Sequence, residues 1–265
     1  MIRKVRKLLT YRKDLREDGD TQYQVSFVTE EYLLKAAQRL HAKVYLERKY
    51  IEELHLTVDR RINLAEDPYQ EHADYFIVNH IHNGKSEVVA TARQIKVRAQ
   101  KGHMSFPTIE KFKLDPKMSK AIHDLDPVTC VEISGLAKQH GHSSYAALLL
   151  YRAMWQYSVR SGHQLWLMAC DAMVYKQLKF MFGDALTQIG KPTMYMGSEV
   201  VPAALEVHQS LGELLKATRG INFVKRSMKL ELIKFFVRGL SPELLTPQHV
   251  AELERLSIFK EAIAK

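Results

Sequence analysis

The sequence predicts an α/β fold in which a mixed central sheet is flanked by helices, and three observations carry that prediction. Residues 128–183 read as strand, polar turn, amphipathic helix, strand and helix, the pattern of a parallel crossover unit. Residues 75–82 and 88–95 are strand-like and flank Asn83-Gly84, a strong signal for an antiparallel hairpin. From about Leu205 the pattern is helical, which predicts a helical C-terminal extension, 207–265, packed on a core formed by 1–206.

Residues 1–20 are highly charged and are expected to be loosely held. Residues 23–28 alternate like a first strand, and Thr29 is placed to cap a helix over 30–53, whose long side chains favour that state. Residues 57–74 are polar, with Asp67-Pro68 marking a turn. Pro107, Pro116 and Pro127 punctuate the approach to a central strand over 128–134, in which Glu132 is the single charge among β-branched and apolar residues. Gly135 is expected to break that run. Ser143 and Ser144 then open a helix to about Arg160, with Leu148, Tyr151 and Trp155 on its apolar face, before a second apolar strand at 165–169. Residues 193–201 read as a strand that closes the sheet. There is no internal repeat and no low-complexity segment.

Composition limits what this chain can be. Its 265 residues suffice for one well-packed core with an appendage, and 46% hydrophobic with 26% charged residues is ordinary for a globular protein. No apolar run approaches the roughly 20 residues of a membrane span, and the basic start lacks the features of a secretory signal, so a cytoplasmic location is expected. Cys130 and Cys170 have neither metal-site spacing nor the density of a disulfide scaffold, and read as buried thiols. The net charge is +9, and residues 216–238 alone supply +6 on what reads as one basic amphipathic helix ending at Gly239. That helix can pack on the core with a solvated basic face, dock an acidic protein, or rest peripherally on anionic lipid at the inner membrane surface. The absence of an aromatic-basic RNA motif or a helix-turn-helix argues against nucleic acid as a partner.

Several segments resemble GNAT-fold acyltransferases, and more narrowly the autoinducer synthases and their relatives, the long-chain N-acyl amino acid synthases. The matching segments are Glu132-Ile-Ser134, the run from Tyr175 to Gly183, Val44-Tyr45-x-Glu47, Ala92-Arg93, residues 105–112 and residues 197–203, together spanning about 22–206. The last of these is similar to the amino acid synthase branch. In the resembling families an Arg follows the Glu-x-Ser tripeptide, and here Gly135 stands in its place. The Arg that commonly precedes the Val-Tyr pair also lacks a clear equivalent, with Arg39 and His41 nearby.

The resemblance implies N-acyl transfer from a thioester to the amino group of an amino acid, with an acyl-phosphopantetheine donor on acyl carrier protein or coenzyme A and no tightly bound cofactor. Such an amine must lose a proton to attack, which a carboxylate with a raised pKa can accept. Glu132 is the candidate base, because in these families the equivalent Glu lies beside the amino substrate. A structural glutamate paired with a buried Arg is the alternative. No cysteine or serine nucleophile is needed, and the fold implies backbone N–H groups, freed where the central strands splay, to hold the oxyanion. Tyr175 is the candidate acid for the departing thiolate. Tyr45, Glu47, Arg93 and Ser134 are candidates for acceptor contacts, and Arg93 can pair with Glu132 or with a substrate carboxylate. For the donor, Gln139, Gly141, Ser143 and Ser144 form a degraded version of the pyrophosphate loop of coenzyme A-dependent acetyltransferases, which favours a carrier-protein donor. Met168, Phe180, Met181 and Phe182 are candidates to line an acyl tunnel. His140 and His142, without a fixed third ligand, do not make a metal site. An acyl-homoserine lactone synthase is the alternative within the fold, and an inactive membrane- or nucleic-acid-binding protein the alternative outside it.

Overall fold

The structure, a computed structural model, describes residues 23–97, 105–219 and 223–258. The expectation for residues 1–20, and the side chains of Phe223, Val224 and Lys225 in the expected basic helix, lie outside what is described.

Strands β1 (Tyr23–Phe27), β2 (Ala73–His82), β3 (Lys85–Lys96), β4 (Cys130–Lys138), β5 (Leu165–Asp171), β6 (Leu186–Gln188), β7 (Thr193–Tyr195) and β8 (Ser198–Glu206) form one sheet in the order β1-β2-β3-β4-β5-β8-β6, with β7 paired to β8. Among the described strands only β4 and β5 run parallel, joined by helix α4 (Tyr145–Ser161), so the crossover unit predicted from 128–183 is present. The β2–β3 hairpin turns at Asn83 and Gly84, with φ of 50° and 72°. Left-handed backbone at both central positions matches the right-handed twist of the strands, which is why Asn-Gly is placed there.

Other segments differ from the sequence reading for identifiable reasons. Helix α1 (Glu31–Glu47) is shorter than 30–53 and begins without a side-chain cap from Thr29. It stops because Lys49 turns left-handed (φ 60°) and the Tyr50 N–H donates to the Tyr45 carbonyl at 2.8 Å. Residues 193–201 form two strands, not one, because Met196 and Gly197 turn the chain back with positive φ. Gly135 does not end its strand: β4 continues to Lys138 through a bulge at which Ala92 opposes both Gly135 and Leu136. The expected basic helix over 216–238 is broken into α6 (Val207–Lys216) and α7 (Phe223–Val237).

Short helices α2 (Pro107–Lys111) and α3 (Pro116–His123) cover one side of the β4 entry, and Asp115 caps α3 by accepting from the N–H groups of Lys117 and Met118. Helix α5 (Ala172–Phe182) starts from an Asp171 cap at the end of β5, and α8 (Pro247–Arg255) from a Thr246 cap. The main hydrophobic cluster joins β2–β5 and β8 with α4, α5, α6 and α7 and extends to Leu253 of α8, so the C-terminal helices share a single core with the sheet. Two buried polar side chains of α4 reach the C-terminal helices: Trp155 Nε1 donates to the Val207 carbonyl and to Ser210 Oγ, and Gln156 Nε2 donates to the carbonyls of Phe236 (2.7 Å) and Arg238 (2.8 Å). Leaving any of these unsatisfied costs about 1–3 kcal/mol, so they fix α6 and α7 against α4. Both cysteines are free and buried. Among the described residues no helix is long and apolar enough to cross a membrane.

Candidate functional site

The pairing of β4 with β5 is brief. Cys130–Glu132 face Leu165–Leu167, and beyond them the strands part, while β5 stays paired with β8 along its length. The opening therefore lies at the β4–β5 seam, at the carboxyl ends of two parallel strands, where ligands collect in open α/β sheets. A continuous cavity of about 2240 Å³ occupies it and extends from α1 to α5 and α7.

Glu132 is the last β4 residue still paired to β5, and it lines this cavity with 2% of its surface exposed. The Thr108 N–H, in the first turn of α2, donates to its Oε2 at 2.8 Å. Burial pushes its pKa up to about 7, with Thr108 and the Arg93 charge offsetting only part of the rise. Among the described residues no cation pairs with it.

The buried arginine is engaged elsewhere. Arg93 donates to both carboxylate oxygens of Asp67, at 2.6 and 3.0 Å, and to the Tyr75 hydroxyl at 3.3 Å; Ser134 Oγ lies at 3.5 Å. Burial works against the Asp67 charge, but the Arg93 guanidinium outweighs it and holds the carboxyl below its usual range. Arg93 thus takes Asp67, not Glu132, as its carboxylate partner within the chain. Asp67 appeared in the sequence only as a turn marker.

His41 on α1 completes this end of the cavity. Burial first and Arg93 second push its pKa down to about 3, so the imidazole is neutral, and its Nε2 is buried without a hydrogen-bond partner. Tyr45 packs edge-on against it, with ring centroids 4.1 Å apart, and removal from water pushes the phenol up to about 12. A Cβ on Gly135 would lie 3.3 Å from His41 Cε1 and 3.4 Å from Arg93 Nε, at a backbone φ of 60°. The absence of a side chain at Gly135 is therefore what lets His41 and Arg93 approach the strand. Tyr69, which donates to Glu110, also lines the cavity.

Of the residues singled out from sequence, Glu132, Tyr45, Glu47, Arg93, Ser134, Ser144, Met168, Phe180, Met181 and Phe182 all line this one cavity. Tyr175, Gln139, Gly141 and Ser143 are not among its lining residues; Tyr175 is half-buried against the main cluster. Phe180 stands at the rim, 60% exposed, while Met168, Met181 and Phe182 are buried. Near the start of α4 the lining is Lys138, His140 and Ser144, and Lys138 Nζ holds the adjoining turn through the carbonyls of Gln139 and His142. Residues missed in sequence are Asp67, Tyr69, Thr108, Trp166 and Met228, brought here by long-range packing that no local pattern announces. Among the described residues no group of three or more His, Cys, Asp or Glu is arranged to hold a metal ion.

Sequence comparison matches the chain to no protein-family model and to no curated protein. Solved structures do match. FeeM, an N-acyl amino acid synthase from uncultured soil microbes, aligns with a TM-score of 0.55 at 16% identity, covering 72% of this chain and 94% of its own. BjaI, a coenzyme A-dependent acyl-homoserine lactone synthase solved with S-adenosylmethionine and isopentyl-CoA, aligns at 0.54 and 13% identity, covering 88% and 99%. The acyl-homoserine lactone synthase LasI aligns at 0.51 and 17% identity, covering 70% and 89%. At these identities the likeness establishes the fold, which is that of the autoinducer-synthase-like acyltransferases.

Proposed function

We propose that the protein is an N-acyltransferase that moves a long-chain fatty acyl group from an acyl-phosphopantetheine donor to the amino group of an amino acid. The observation that carries the reading is Glu132: a carboxylate without a cation partner, buried where β4 and β5 part and facing a cavity that is polar on one side and apolar on the other. The structural alternative, a glutamate neutralised by a buried arginine, is weakened because Asp67 occupies Arg93.

In this reading Glu132 takes a proton from the acceptor ammonium, directly or through water, and the freed amine attacks the thioester carbonyl. A C–N bond forms, and the negative charge on oxygen is received by N–H groups on the β4 edge left unpaired beyond Glu132. As the intermediate collapses, the nitrogen gives up its second proton, the C–S bond breaks and the thiolate departs. The thiolate takes up that proton through water at the mouth of the site, while Glu132 returns the first proton to solvent. A thiol pKa near 8.5 makes the thiolate a fair leaving group. A base with a pKa near 7 suits this work, since about half of it is ionised at neutral pH and it is still basic enough to take the proton. His41, Tyr45 and the Arg93–Asp67 pair would surround the acceptor, Lys138, His140 and Ser144 the pantetheine arm, and Trp166, Met168, Met181 and Phe182 the acyl chain. Catalysis is assigned to 1–206, with 207–265 as a packed extension.

Acyl carrier protein is the favoured carrier. Exposed Lys176 lies on α5 beside the exposed Met173 and Phe180 at the cavity rim, a basic and apolar edge fitted to an acidic helical partner. Coenzyme A is the alternative carrier, and a cytoplasmic location with peripheral membrane contact is compatible with the same basic surface.

Mass spectrometry of lipid extracts from cells producing the wild type or Glu132→Gln tests the proposal. A new acyl-amine species present only with the wild type supports both the reaction and the base, and extracts that match an empty-vector control overturn it. Lactone formation with S-adenosylmethionine as acceptor would assign the chain to the lactone synthases instead.

A further inference from the structure

Among the described side chains of helix α7, Met228 alone lines the cavity. Met228 is 5% exposed, yet it stands outside the main hydrophobic cluster that takes in Leu232, Ile233, Phe235 and Phe236 of the same helix. A buried thioether that faces a void, while its neighbours interlock with the core, is positioned as a wall. The cavity's apolar lining also takes in Leu178, Met181 and Phe182 of α5, Leu186 of β6 and Leu205 of β8, and the Lys229 bond to the Met181 carbonyl sets α7 beside the α5 part of that lining.

The wall is held rigidly. Phe236 meets Trp155 of α4 and Phe182 of α5 edge-on, with ring centroids 5.7 and 5.6 Å apart. Lys229, next to Met228, donates from Nζ to the carbonyls of Phe180 (2.8 Å) and Met181 (3.2 Å), tying α7 to the last turn of α5. The basic residue therefore binds the carbonyl end of a helix, where a cation is stabilised. Burial pushes its pKa down to about 8.

We infer that α7, through Met228, forms the end wall of the acyl site and sets the longest acyl chain the protein accepts. This rests on the acyl-transfer reading above and adds that a specificity determinant lies in the C-terminal helices, outside the sheet that carries Glu132. Affinity should rise roughly fourfold with each buried methylene until the chain reaches Met228, and then stop rising or fall.

The experiment measures binding of acyl-pantetheine thioesters, from octanoyl to stearoyl, to the full-length wild type, Met228→Leu, Met228→Ala and Met228→Trp. The pantetheine arm is common to either carrier, so the readout does not depend on which is used. Met228→Ala removes three heavy atoms and should move the cut-off about three methylenes longer. Met228→Trp should move it shorter, and Met228→Leu, which keeps volume, should leave both the cut-off and the thermal midpoint in place. If affinity rises with chain length but the cut-off is the same in Met228→Ala as in the wild type, α7 is not the wall, although the acyl-transfer reading stands. If no thioester binds the wild type, both fall.

Discussion

Replacing Glu132 by Gln separates the ionisation of this side chain from its shape. The amide keeps the carboxylate's size and an oxygen to accept the Thr108 N–H, but it cannot take up or release a proton. Burial raises the Glu132 pKa, so the unfolded chain releases this proton at a lower pH than the folded one, and stability falls as pH climbs from about 4.5 to about 7. The full rise corresponds to about 3 kcal/mol, an upper figure for a carboxyl whose pKa goes from 4.5 to about 7. Glu132→Gln should therefore match the wild type near pH 4.5 and become progressively more stable above it. For a chain of this size the gain at pH 8 is on the order of 5–10 °C in thermal midpoint. In a transfer assay with acyl-pantetheine donor and amino acid acceptor, wild-type kcat/KM should rise through a pKa near 7. The variant should lose a factor of roughly 10²–10⁴ in rate. Midpoint curves that stay parallel from pH 4.5 to 8, with unchanged rates, would refute the argument.

Three further perturbations test the frame around the site. Asp67→Asn leaves the Arg93 charge buried without its counterion and should cost about 3–5 kcal/mol in urea unfolding, whereas replacing both partners by apolar residues should recover much of that. Because Asp67 is held below its usual pKa, the pair's contribution should persist at neutral pH and disappear only in strong acid. Gly135→Ala forces a side chain onto left-handed backbone against His41 and should lose about 1–2 kcal/mol. Gln156→Leu strands the Phe236 and Arg238 carbonyls and should lower stability by about 1–3 kcal/mol, measured by the same unfolding.

The hairpin at Asn83-Gly84 and the crossover from β4 through α4 to β5 were legible because each is encoded by contiguous residues. Glu132 stood out for the same reason, a charge inside a strand of β-branched and apolar residues. The Asp67–Arg93 pair was not legible, since 26 positions separate its members and Asp67 sits in a polar stretch that also reads as an ordinary turn. Gly135 misled because a glycine that ends a strand and one that forms a bulge look alike without the partner strand. The basic segment at 216–238 misled at its start: its composition fits a single helix from Lys216, whereas α6 ends at Lys216 and α7 begins at Phe223.

The irregular segment that carries Asp67 has one more implication. It borders the polar end of the cavity while contributing nothing to the central strands, and it is anchored there by its ion pair to Arg93. Substitutions in that segment can remodel which acceptor fits without disturbing the base or the sheet. Diversification among descendants of this scaffold is then expected to concentrate in the segment between α1 and β2, with the anchor retained and the residues around it free to change.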